Sequence, residues 1–281
     1  MIKQLAWNMF KNTGDINSYL EFAEIEKQER EKLNVNEEKK KPNLGENIRN
    51  RYKIEEVIMG TIKTKGIVIA ENNMGDFDKM LTLLTPSGKI SCSAKGSRRP
   101  KSQLMAGSQF LCFGDYMLFK GTNTYTLNSS EPLEIFYNIR IDLDKLQYAA
   151  HITKIIQDVT DENQNTYKIM QLYLNTLYVI SETEMDLEFV VSIFKLRLMC
   201  LLGFSPRIQK CTECGREDNL NYFSFKDNGF KCEVCSRQDT GAVQISPSTK
   251  KAIQYITMAP AKKLYSFEIS EENKKQLSLV S

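Results

Sequence analysis

Residues 59–104 read MGTIKTKGIVIAENNMGDFDKMLTLLTPSGKISCSAKGSRRPKSQL. Here the chain leaves a charged stretch and becomes β-branched and alternating. Residues 61–71, 78–86 and 88–96 each carry strand character, and NNMGD (72–76) and TPSG (85–88) supply the turns between them. YMLFKG (116–121) and TYTLNSSEPLEIF (124–136) continue the pattern across the turn KGTN (120–123). Five short strands in this length predict a small closed β structure, and an OB-type five-stranded barrel fits the count.

From Ile141 onward the apolar period becomes helical. Leu143, Leu146, Ala150, Ile152, Ile156 and Val159 are expected to share one helix face. Residues 167–181 predict a second helix. Residues 186–204 predict a third, apolar on nearly every side and therefore central. Gly203 and Pro206 are its stop signals, and Ser246 followed by Pro247 reads as the N-cap and first turn of a later helix. The fold class expected is multidomain α+β, with an N-terminal five-stranded OB barrel (59–138) followed by an α-helical domain (139–281). The helical part carries an insertion around residues 207–240.

That insertion holds CTECGREDNLNYFSFKDNGFKCEVC, residues 211–235. Two C-x-x-C pairs at this separation predict a four-cysteine zinc site on Cys211, Cys214, Cys232 and Cys235. Four thiolates close a tetrahedron and leave no position for water or substrate, so the expected zinc is structural. YFSF (222–225) and KDNGF (226–230) predict a hairpin between the pairs. Cys92, Cys112 and Cys200 stand singly and are expected to pack as small hydrophobes.

Absences narrow the chemistry further. The chain of 281 residues has one histidine, His151, in a helical pattern. Histidine-rich zinc catalysis is excluded, and neither a phosphate-binding G-x-x-x-x-G-K-[ST] loop nor a dinucleotide G-x-G-x-x-G turn is present. Asp76 and Asp78 in GDFDK lack a third carboxylate nearby and read as a turn rather than a metal-dependent nuclease centre. Residues 189–204, the longest apolar run, are interrupted by Lys195 and Arg197 and fall short of the roughly 18 residues of a membrane span. With no signal-peptide core at the N-terminus, the expected location is cytoplasmic, nucleoid-associated, with no membrane partner.

The net charge is only +3, so affinity for nucleic acid must come from clustering. Residues 89–104 supply it: Lys89, Lys95, Arg98, Arg99 and Lys101 occur without an acidic residue. Gly96 and Pro100 make this a loop. Lys63, Lys65 and Lys120 lie on neighbouring strands or turns of the expected barrel. Such a loop beside an OB sheet suits a phosphate backbone. Phe110, Phe113, Tyr116, Phe119 and Tyr125 follow, and strand alternation must turn about half of them into the core.

Three motifs in order, residues 59–104, FKLRLMCLLGFSP (194–206) and the paired cysteines, resemble the RecO family of bacterial recombination mediators. The resemblance covers Met59 to Ser281. It implies an OB domain, a helical domain with a zinc-binding insertion, and binding without catalysis. It also implies a role in DNA repair through the RecF pathway of homologous recombination. Such proteins bind single- and double-stranded DNA and anneal complementary strands. With RecR they promote loading of RecA on gapped DNA coated with single-stranded DNA-binding protein. The DNA-contact role carries over to Lys95, Arg98, Arg99 and Lys101, with Lys63, Lys65 and Lys89 as further candidates. Family members continue beyond the point matching Ser281, so the docking site for single-stranded DNA-binding protein is expected to be incomplete. The competing reading is a zinc-ribbon and OB module that binds protein without touching DNA.

The first 58 residues depart from that family. Residues 5–26, LAWNMFKNTGDINSYLEFAEIE, are similar to the small YqzL family, which sets a helical segment at 1–27. Residues 28–58 are densely charged and read as a disordered linker. Glu55 to Met59 can be encoded with a purine-rich ribosome-binding tract ahead of Met59. Met59 is therefore a candidate ancestral start, joined secondarily to an upstream neighbour. The nucleotide sequence is the check, and codons without that tract remove the argument.

Overall fold

The computed structural model describes residues 60–121 and 124–281. The expectations for 1–27 and for 28–58 lie outside these residues. β1 (Thr61–Met74), β2 (Asp78–Thr85), β3 (Gly88–Ala94), β4 (Phe113–Lys120) and β5 (Tyr125–Glu134) close into a barrel in the order β1-β2-β3-β5-β4. The β3–β5 pairing is parallel and the others are antiparallel. This is the strand order of an OB barrel.

β1 closes the barrel because it serves two ladders. Its first half pairs with β4 and its second half with β2, and Ile67 belongs to both. Gly66 faces Gly114 at this corner. A Cβ at Gly114 would lie 2.4 Å from the Glu131 carbonyl oxygen, so only glycine lets the strands approach there.

Both faces of β1 are buried around this corner. Val68 joins Leu81, Leu83, Cys92, Cys112, Tyr116, Leu118 and Leu127 in the barrel interior. Ile67 and Ile69 join a second core shared with the helices. That explains an uninterrupted apolar run in a strand of an otherwise alternating barrel. Each such side chain contributes roughly 1.5–3 kcal/mol relative to exposure.

The helical part begins with α1 (Tyr137–Ile141), α2 (Leu143–Val159), α3 (Tyr167–Glu182) and α4 (Leu187–Leu201). After the cysteine-bearing segment come α6 (Pro247–Met258) and α7 (Glu271–Val280). The starts follow the capping chemistry of the sequence. Asp142 accepts from the backbone N–H of Asp144 and Lys145, Asp186 from Phe189, and Ser246 from Thr249 ahead of Pro247. α4 packs against α2, α3, α6 and α7, in the central place its apolar sequence predicts.

Of the expected face of α2, Ile152 and Ile156 are buried and Leu146 and Val159 pack against the core, whereas Leu143 is 78% exposed and Ala150 is also outside. Ala149 and Thr153 are buried in addition. Thr153 can take an inward position because its polar group is paired. Its hydroxyl is satisfied by the Ala149 carbonyl at 2.7 Å and the Tyr173 hydroxyl at 2.6 Å, so a polar residue occupies the core position.

A second lock joins the β2–β3 turn to the α2–α3 connection. Thr166 donates its N–H to the Pro86 carbonyl at 3.1 Å, and the Gly88 N–H donates to the Thr166 hydroxyl at 3.1 Å. Lys89 donates its N–H to the Asp161 carbonyl and its ammonium to the Gln157 carbonyl at 2.8 Å. Arg140 of α1 binds Gln109 and the Phe110 carbonyl from the other side.

Gly88 has φ +111, and a Cβ there would stand 2.6 Å from the Asp161 carbonyl oxygen. Gly88→Ala is expected to destabilise the chain by about 2 kcal/mol or more, read as a lower urea midpoint at unchanged slope.

Candidate nucleic-acid interface and metal centre

The basic loop leaves β3 at Ala94 and folds through tight turns. Ser97, Arg99 and Ser102 donate their N–H groups to the carbonyls of Ala94, Gly96 and Arg99. Gly96 (φ +65) and Lys101 (φ +68) take the left-handed conformation that reverses the chain. The loop is tied to the β1–β2 turn at three points. The Gly96 N–H donates to the Asp78 carboxylate at 2.7 Å, and the Arg98 N–H to the Phe77 carbonyl at 2.9 Å. The Arg98 guanidinium reaches the Gly75 carbonyl at 3.3 Å. Arg99 lies over the Phe77 ring, 5.3 Å from its centroid.

Lys95, Arg98, Arg99 and Lys101 are all exposed on this loop. Among the described residues none of the four has an ion-pair partner. Asp78 is committed to the loop backbone, which is a structural use for this carboxylate. Among the described residues the cysteines form the one group able to supply three or more metal ligands.

The remaining basic residues are divided by the fold. Lys63 is exposed on the first half of β1, and Lys65 is paired with Asp115 at 3.2 Å. Lys120 is exposed at the end of β4, beside the start of β1. Lys89 is half-buried, and its ammonium is held in the helical junction rather than on the loop. The aromatics divide as well. Phe113 and Tyr116 are buried, Phe110 and Tyr125 are half-buried, and Phe119 is exposed. Phe77, which sequence reading passed over, is exposed beside Arg99. A lone phenylalanine in GDFDK gives no periodic signal, although its place in a turn was the available clue.

The cysteine segment forms a three-stranded ribbon of β6 (Tyr222–Ser224), β7 (Gly229–Lys231) and β8 (Val243–Gln244), with the short helix α5 (Glu233–Ser236). The first two strands are the expected hairpin. The sulfurs of Cys211, Cys214, Cys232 and Cys235 lie within 4.8 Å of one another. Cys214 and Cys232 are 3.8 Å apart at sulfur, and a zinc tetrahedron with 2.3 Å bonds has an edge of about 3.8 Å. The donor set therefore fits zinc.

Burial raises the Cys211 thiol, but N–H groups of Cys214, Cys232 and Glu213 outweigh it and draw the group down to about 6. Hydrogen bonding to Cys232, then burial, pushes Cys235 up to about 12. Metal uptake must expel the proton that Cys235 keeps.

The ribbon neutralises its own charges. Lys231 is buried, with its ammonium 2.6 Å from Asp227, 3.2 Å from Asp239 and 3.4 Å from Glu213. Lys210, Arg216 and Arg237 pair with Glu217, Asp218 and Glu233. Hydrogen bonding to Lys231 holds Asp227 below the usual carboxylate range, and Asp239 is lowered first by Ser224 and then by Lys231. Among the described residues Lys226 is exposed without an ion pair, and the Arg207 guanidinium reaches only the Asp227 backbone carbonyl, so most but not all of the cations here are neutralised by a carboxylate.

An OB barrel sharing a core with a helical bundle, a cationic loop on the barrel and a four-thiolate ribbon in the bundle define a class of protein. It pairs an OB barrel with a four-cysteine cluster able to hold a metal ion. Residues 59–136 match the family model for the N terminal of Recombination protein O, and residues 140–281 match its C terminal. The chain belongs to the RecO family of DNA repair and recombination proteins. The DNA repair protein RecO of Acetivibrio thermocellus is 44% identical over 226 residues, covering 79% of this chain and 90% of the relative. Its counterpart in Alkaliphilus metalliredigens is 38% identical, covering 69% and 80%. That of Thermoanaerobacter sp. is 32% identical, covering 79% and 90%. Residues 4–48 match the YqzL-like family, past the boundary at residue 27 that the sequence suggested. Among the described residues no helix is long and apolar enough to cross a membrane.

The chain is expected to carry one zinc, and Cys214→Ser is expected to lower the metal content sharply, whereas Cys200→Ser leaves it unchanged. Elemental analysis checks both. Because uptake releases protons, zinc affinity should rise with pH, so a chelator should strip the metal faster at pH 5.5 than at pH 7.5.

Proposed function

We propose that this chain is a DNA-binding recombination mediator without catalytic activity. It holds single strands along the loop 95–101 and anneals complementary strands. With RecR it promotes RecA loading on gapped DNA coated with single-stranded DNA-binding protein. Double-stranded DNA is bound through the same phosphate contacts. The zinc is structural.

One observation carries the reading. Four exposed cations, free of ion pairs among the described residues, stand on a loop tied by backbone bonds to the barrel. Cations left without carboxylates keep their full charge for phosphate and release counterions on contact. Family membership supports the recombination setting. Annealing follows from charge neutralisation, because two strands with masked phosphates approach without mutual repulsion. The alternative, a protein-binding module, draws on the self-neutralised ribbon, which offers little to a polyanion.

Binding of a labelled single strand across a salt series is the test. Four phosphate contacts predict that log affinity falls with log salt at a slope of about −3. The Arg98→Ala/Arg99→Ala chain should keep its thermal midpoint within a few degrees and show a slope shallower by roughly 1.4. A slope near zero in the parent chain would favour the protein-binding alternative. Annealing of strands coated with single-stranded DNA-binding protein then tests the mediator role.

A further inference from the structure

We infer that Phe77 is a base-stacking platform that makes the loop prefer unpaired over paired strands. This rests on the DNA-binding reading of the same loop. Phe77 sits in the β1–β2 turn, outside both cores, with 44% of its surface open. The ring belongs to neither core, yet its surroundings hold it in place. Its carbonyl is bound by the Arg98 N–H at 2.9 Å, and its neighbour Asp78 caps the loop at Gly96. Arg99 lies over its ring. A planar cation against an open aromatic, flanked by Lys95, Arg98 and Lys101, reproduces what a nucleotide requires: a flat apolar face for the base and positive charge for the adjoining phosphate.

The preference follows from which faces a nucleic acid exposes. In a duplex every base face is covered by its neighbours, and only edges reach the grooves. A ring can stack only on a base that has left the helix or was never paired. The phosphate contacts of the loop are available to either form. Phe77 therefore adds affinity for single strands alone, which is the discrimination a protein needs if it is to act at gaps within duplex DNA.

The experiment measures anisotropy of a labelled thymidine oligomer and of a duplex of the same length, for the parent chain, Phe77→Ala, Phe77→Leu and Phe119→Ala. Phe119 is also exposed but lies at the opposite end of β1, paired with Thr61. Both Phe77 variants should bind the single strand about tenfold more weakly, with duplex affinity and the single-strand salt slope unchanged. Phe119→Ala should match the parent. Phe77→Leu keeps apolar bulk without a π face, so near-parental binding by Phe77→Leu would overturn the stacking role. Equal losses on duplex and single strand, or a shallower salt slope in the Phe77 variants, would also overturn it, because the ring would then only be positioning Arg99. A parent chain that binds neither ligand would refute the DNA reading itself. Intact parental binding with an indifferent Phe77→Ala would refute this inference alone.

Discussion

The burial of β1 on both faces is the constraint on which the other features depend. Val68 fills the barrel while Ile67 and Ile69, one residue to either side, fill the helical core. The barrel cannot form without presenting those two isoleucines, and the helices need an apolar wall to complete their core. Gly66 and Gly114 permit the sharp corner, and the Thr85–Lys89 turn fastens the same wall to the α2–α3 connection. Two elements that the sequence describes as successive domains are therefore joined through one packed layer.

Much of this was legible in advance for reasons that can be stated residue by residue. Turn residues punctuated the strands, and Ser246 with Pro247 marked a helix start, whereas the caps at Asp142 and Asp186 emerged only in the structure. The C-x-x-C spacing selected four sulfurs whose clustering depends on local knuckles and a hairpin, so little long-range information was needed. What escaped the sequence was long-range. Lys89 belongs to a basic run by position, yet the pairing of the β2–β3 turn with α2 takes its ammonium away. Thr153 looks polar until Tyr173 meets it. Phe77 has no pattern of its own and acquires meaning only from Arg99, which lies beyond a whole β-hairpin.

Charge placement, more than charge total, separates the two special regions. In the ribbon Lys210, Arg216, Lys231 and Arg237 stand within reach of a carboxylate, and among the described residues Lys226 and Arg207 do not. The loop on the barrel carries four without that compensation among the described residues. A chain of net charge +3 can thus keep one strongly positive patch while the four-cysteine region remains nearly neutral.

The shared core also has a mechanical meaning. A connection running from Glu134 directly into α1, with apolar packing on one side and Arg140 bridging on the other, leaves no hinge between barrel and bundle. A flexible polymer laid against such a body meets a fixed former. Under the proposed DNA-binding role, curvature, unstacking and slippage would fall on the polymer, with the protein as the template against which it is shaped.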